Sequence, residues 1–180
     1  MTTKRITLLE MKLQYARMLK EVGDLESIQS YPYSDNHFTT EEGWKIDVNF
    51  EDLDSEDFDL MDLQTDPKKS FNVGYAINGV DSQYAKTTYK KLIRILKTVS
   101  DMIVDFVKKN RETEALVFIA SNKDPDKALT DTDPQKSALY KTVIVKNISK
   151  LGGRWKIKEL EVDGFGYIGF ALIKDKQNKK

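Results

Sequence analysis

Phe71-Asn72-Val73-Gly74-Tyr75-Ala76-Ile77-Asn78 and Ala115-Leu116-Val117-Phe118-Ile119-Ala120 are the two stretches whose reading decides the fold. In the first, Phe71, Val73, Tyr75 and Ile77 alternate with smaller or polar residues, the period of a strand buried on one face. The second is an unbroken apolar run, the composition of a central strand covered on both faces. Between them, Tyr84 to Asn110 reads as the longest helix. Ala85, Tyr89, Leu92, Leu96, Val99, Ile103 and Phe106 step by four and three along one stripe. Ile93, Ile95, Met102, Val104 and Val107 widen that stripe, as in a helix that lies across a sheet and is covered on both flanks.

The pattern extends in both directions. Asp133-Pro134 reads as an N-cap followed by proline at the first helical position. A helix then runs from Gln135 to Leu151 and stops at Gly152-Gly153. Trp155 to Val162 and Tyr167 to Lys174 read as strands joined by a tight turn at Asp163-Gly164. Upstream, Trp44, Ile46, Val48 and Phe50 alternate along a half-buried strand. Ser30 to Glu42, with Tyr31-Pro32-Tyr33, has no periodicity and reads as a loop. Thr7 to Val22 reads as an amphipathic helix with Leu8, Leu9, Met11, Tyr15, Met18, Leu19 and Val22 on one face and Gly23 as its stop. The expectation is an α+β protein with a mixed, mostly antiparallel sheet and two long helices. Residues 1–29 form an N-terminal helix or arm, 30–174 one domain, and 175–180 a charged tail.

Composition narrows the chemistry. The 180 residues carry 32% charged side chains balanced to zero net charge, which argues against a general nucleic-acid binder. With no cysteine, no disulfide, thiolate nucleophile or cysteine-ligated metal is available. No signal peptide is seen, and no segment approaches the roughly eighteen apolar residues of a membrane span. Asp47 to Asp66 holds nine acidic residues and no basic one. Counted from Asp52 as a calcium loop, it has Asp57 where glycine is needed and Leu63 where a bidentate Glu is needed. It reads instead as a solvated acidic turn leading to a short strand near Phe58 to Leu63. An acidic surface for a basic partner, through Asp52, Asp54, Asp57 and Asp59, is the other reading. His37, the only histidine, cannot build a histidine metal site and reads as a loop residue. Arg154, Lys156 and Lys158 alternate with Trp155 and Ile157, a strand with its polar face in water.

Two resemblances bear on function. The order Phe118-Ile119-Ala120-Ser121-Asn122, then Leu139-Tyr140, then Gly152-Gly153 resembles the core of an acetyltransferase of the GNAT type. The resemblance covers roughly the last 110 residues. It implies a general-acid role for Tyr140 and acetyl-coenzyme A contacts from Lys86, Thr87, Thr88 and Asn122. The departure is at the pyrophosphate loop. The family places Arg/Gln-x-x-Gly-x-Gly/Ala before the long helix, so that backbone amides cradle the phosphates. This chain has Val80-Asp81-Ser82-Gln83-Tyr84-Ala85 there, without glycine, with a repelling Asp81 and a bulky Tyr84. The expectation is therefore a GNAT-like core with no cofactor.

The second resemblance is to small proteins of large tailed bacteriophages. It is carried by Tyr31-Pro32-Tyr33, the acidic stretch between two strands, Leu96-Lys97-Thr98-Val99 with Asp105-Phe106, Leu139-Tyr140, and the closing Phe170-Ala171-Leu172-Ile173-Lys174. It implies a non-enzymatic structural or interaction protein, a virion component of head, neck or tail that assembles with other phage structural proteins. Such a protein resides in the virion, or in the host cytoplasm during infection. Its interface would use Leu8, Met11, Tyr15 and Met18 with the acidic Asp52, Asp54, Asp57 and Asp59. The alternatives are a divergent acetyl-coenzyme A-dependent N-acetyltransferase using Tyr140, and a phage inhibitor that engages a host protein through the acidic patch. No membrane and no specific nucleic acid is expected as a partner.

Overall fold

The computed structural model describes residues 20, 25–53, 55–78, 80–81, 89–119, 134–151, 154–162 and 166–175. The expected N-terminal helix, Lys86, Thr87, Thr88, Asn122 and Asp54 lie outside the described residues. The elements run β1 Tyr33–Ser34, β2 His37–Thr39, β3 Lys45–Asp52, α1 Ser55–Met61, β4 Ser70–Ile77, β5 Val80–Asp81, α2 Tyr89–Lys109, β6 Ala115–Ile119, α3 Pro134–Ile148, β7 Trp155–Val162 and β8 Gly166–Lys174. Seven strands pair in the order β1-β2-β3-β4-β6-β8-β7, and β5 pairs with β4 off that path. The protein is thus α+β with a mixed sheet and two long helices, α2 and α3.

Among the described strands one pair is parallel, β4 with β6; every other pairing is antiparallel. A parallel pair needs a crossover, and α2 supplies it. Alternation then sorts the side chains. Ile46, Val48, Val73, Ile77, Leu116, Phe118, Phe170 and Leu172 enter one core with Ile95, Val99, Met102 and Ile103 of α2. The opposite flank of α2 packs Ile93 and Leu96 against Leu25 and Val143. The wide stripe on this helix is therefore covered on more than one side, as its width requires.

The second face of the sheet is apolar only over β6, β8 and β7. Ala115, Val117, Ala171 and Leu160 are buried there under Met61 and Leu63, with Leu53 and Phe58 packed alongside. This corrects the strand expected near Phe58 to Leu63. The chain forms α1 instead, because Phe58 and Met61 share a face at helical spacing while a two-residue period would place Asp62 on the face of Phe58 and Leu60. Ser30 to Glu42 is also more ordered than expected. It contains the β1–β2 hairpin, turned at Asp35, a residue type tolerant of its φ of 51°. Phe38, 2% exposed, anchors the hairpin by stacking on Tyr31 at 5.5 Å.

Candidate functional site

The parallel pair is short. Ser70, Phe71 and Asn72 register with Ala115, Leu116 and Val117, and there the pairing ends. Beyond it β4 runs on to Ile77, while Phe118 and Ile119 pair only with β8. Strands that part at their carboxyl ends leave the crevice in which ligands of open α/β sheets bind. In this chain two features occupy it. After Asn78, at φ 53°, β5 folds back onto β4, pairing Val80 with Ile77 and Asp81 with Ala76. The edge of β4 that an extended ligand would use is thereby hydrogen-bonded at its far end.

The second feature is Tyr140. α3 brings its ring 5.9 Å from Tyr75, 5.6 Å from Phe118 and 6.3 Å from Phe170, centroid to centroid. Phe118 and Phe170 stack at 4.7 Å beneath it. Edge-on and tilted contacts of this kind are favourable beyond the area they bury. The Tyr140 hydroxyl, however, is buried without a hydrogen-bond partner among the described residues. Burial pushes its pKa well above the ordinary tyrosine value, and neighbouring Tyr75 raises it further. The hydroxyl stays protonated, a donor with no acceptor among the described residues. Removing such a group from water without a partner costs about 1–3 kcal/mol. Gly169 completes the floor: a Cβ there would lie 2.0 Å from the Phe118 carbonyl oxygen, so only glycine lets β8 approach β6 at that point.

A second concentration of polar groups lies on the far side of α2. Ser30 donates to Asp101 at 2.5 Å, Lys97 ion-pairs with Asp101 and reaches Ser30 at 3.3 Å, and Asn147 of α3 donates to the other Asp101 oxygen at 3.2 Å. Thr98 accepts from the Tyr31 backbone N–H at 3.0 Å, and the Tyr33 hydroxyl donates to Asp105 at 2.7 Å. Arg94 donates to the Gln29 carbonyl, pairs with Glu41 and lies 3.9 Å above the Tyr31 ring. The segment from Gln29 to Tyr33 is thus strapped to a polar stripe one turn apart along α2. Burial, and then the bond to Asp105, raises the Tyr33 pKa far above its ordinary value.

Of the residues that sequence reasoning singled out, Tyr140 is the one placed at the crevice. Asp52 and Asp59 are exposed, on β3 and α1, and Asp57 lies on α1. His37 sits exposed on β2 opposite Asp47, rather than in a loop. Lys158 donates to the Met61 and Asp62 carbonyls and Lys156 pairs with Asp175, so two members of the basic strand are engaged within the chain. Among the described residues no three metal-ligating side chains converge, and no helix is long and apolar enough to cross a membrane. The strap and the β4–β5 hairpin were missed. Their signals were the Lys97/Asp101 spacing of four and the Asn78-Gly79 dipeptide. Comparison with protein-family models, curated proteins and solved structures finds no match to this chain.

Proposed function

We propose that this chain is a non-enzymatic structural or interaction protein of a tailed bacteriophage, a virion component built on a GNAT-like core whose cofactor crevice is closed from within. The observation that supports a non-enzymatic role is the plug: Tyr140 is seated between Tyr75, Phe118 and Phe170 with its hydroxyl buried. A general acid must reach its leaving group, and here the hydroxyl is buried while the ring packs on three others. β5 adds to the closure by pairing with the end of β4. The sequence resemblance to phage proteins supports the virion assignment, and the exposed Asp52 and Asp59 suit contact with another protein. Mass spectrometry of purified particles from the encoding genome tests it. A fixed copy number per particle is expected; a chain absent from particles contradicts it.

The orphaned hydroxyl itself favours a second reading, a divergent acetyl-coenzyme A-dependent enzyme in which a ligand supplies the missing partner. That reading requires thermal stabilisation by acetyl-coenzyme A at millimolar concentration and loss of activity in Tyr140→Phe. No thermal shift at that concentration removes it.

A further inference from the structure

The sheet ends differently at its two edges. At one end stands β1, two residues long; at the other stands β7, eight residues from Trp155 to Val162. A very short edge strand discourages pairing with another chain, and a long one needs some other guard. Two bonds show which backbone groups of β7 face outward. The Asp175 N–H donates to the Arg154 carbonyl at 2.7 Å, and the Lys174 N–H turns the other way, to the Glu114 carbonyl at 2.8 Å beside β6. Arg154 is therefore bonded toward β8, and alternation along the antiparallel ladder turns Lys156 and Lys158 the same way. Ile157 and Glu159, ahead of the register shift after Leu160, aim their N–H and C=O groups away from the sheet. Among the described residues neither finds a backbone partner on that side.

The side chains leave the same edge open. Edge lysines commonly repel an incoming strand, but here both are engaged within the chain. Lys156 pairs with Asp175 at 3.1 Å, and Lys158 donates to the Met61 carbonyl at 3.1 Å with the Asp62 carboxylate at 3.8 Å. On the opposite face Glu159 pairs with Lys141 of α3. Beside it lies Ile157, 42% exposed, the one large apolar side chain left exposed among the described residues. We infer that the outer edge of β7 pairs with β7 of a second copy, antiparallel about a two-fold axis at Ile157, so that two sheets become one. An axis normal to the sheet keeps each side chain on its own face and sets outward-facing residues opposite outward-facing ones, as the ladder requires. Ile157 then lies opposite Ile157 of the second copy, Cα atoms about 5.5 Å apart, exchanging both backbone bonds. Each covers the other's exposed side chain. A foreign strand would have to bring an apolar residue to that one position, whereas a second copy carries it there by symmetry. On the α1 face Lys156 meets Lys158 of the second copy, each already beside a carboxylate of its own chain. The use of this pairing in assembly rests on the reading above; the pairing itself does not.

Sedimentation velocity and amide exchange on the intact chain test it together. A dimer is expected that responds little to salt, because backbone bonds and apolar contact hold it. The Ile157 and Glu159 amides should exchange fast in dilute protein and slow severalfold as the dimer fills, while those of Lys156 and Lys158 stay protected throughout. Ile157→Pro removes an outward N–H and no bond to β8, so the fold should survive while pairing weakens roughly tenfold or more. Ile157→Lys keeps the backbone, sets like charges opposite across the axis and should weaken pairing as well. Should the proline variant fail to fold, the lysine variant and the wild-type exchange still decide. A monomer at every concentration overturns the inference. So does a dimer indifferent to Ile157→Lys, or edge amides whose exchange ignores concentration. The virion reading fails separately: a chain absent from particles that still dimerises keeps this edge, and a monomer present in particles at fixed copy number keeps the virion reading alone.

Discussion

Polar groups are buried on two sides of the helical layer, and the protein treats them in opposite ways. Beside the strap, Lys97 is 6% exposed and Asn147 is 3% exposed, yet both bond to Asp101, which also receives Ser30. Beside the crevice, the Tyr140 hydroxyl has no hydrogen-bond partner among the described residues. The strap network is directional and discriminating: each α2 side chain meets one atom of the segment from Gln29 to Tyr33. The crevice is held by ring packing, which depends on shape and tolerates a surplus hydroxyl at a cost. A satisfied network fixes one arrangement of chain, whereas an orphaned group marks a place where packing outweighed hydrogen bonding.

The largest expected effect strikes the crevice floor. Gly169→Ala drives a Cβ into the Phe118 carbonyl and separates the strands under Tyr140. It should cost about 4 kcal/mol, read as a collapsed melting temperature or insoluble protein. Next, Asp101→Ala removes the anion that serves Lys97, Ser30 and Asn147, leaving a nearly buried ammonium. The loss should be about 3 kcal/mol by urea denaturation, with the segment 25–33 losing amide protection first. An effect below about 0.5 kcal/mol would make the network ornamental and erase the contrast.

Both regions should lose stability at alkaline pH, because Tyr140 in the crevice and Tyr33 in the strap each have a raised pKa. Tyr33 has its folded pKa raised, so its contribution is fully present below the unfolded tyrosine value of about 10 and is lost as pH rises above it. Hydrogen exchange should show the strap loosening in that alkaline window, and Tyr33→Phe should remove that residue's share while Tyr31 and Tyr140 keep theirs. The smallest effect is a gain. Tyr140→Phe deletes the orphaned hydroxyl and keeps the ring, and should stabilise the protein by about 1 kcal/mol.

Most of the scaffold was legible because its periods are clean. The alternation of Ile46, Val48 and Phe50, the stripe from Leu92 to Phe106 and the apolar run from Ala115 each allow one reading, and β3, α2 and β6 lie where those patterns place them. Tyr140 was found through a motif order, but its lack of a partner is a property of four elements packed together and has no local signature. The acidic stretch misled at Phe58 to Leu63, where a seven-residue helix is too short for its period to stand out among carboxylates. The strap was hidden because Tyr31 to Thr39 carries its information in long-range bonds to α2, with sequence separations of 67 to 72 residues.

The central claim is that the crevice is closed by the chain itself, and melting wild type and Tyr140→Phe with and without millimolar acetyl-coenzyme A tests it most directly. The account predicts that the variant melts about 2–4 °C above wild type and that the cofactor moves neither protein. A cofactor-dependent rise in wild type that disappears in Tyr140→Phe would contradict it, and would make the orphaned hydroxyl half of a ligand site.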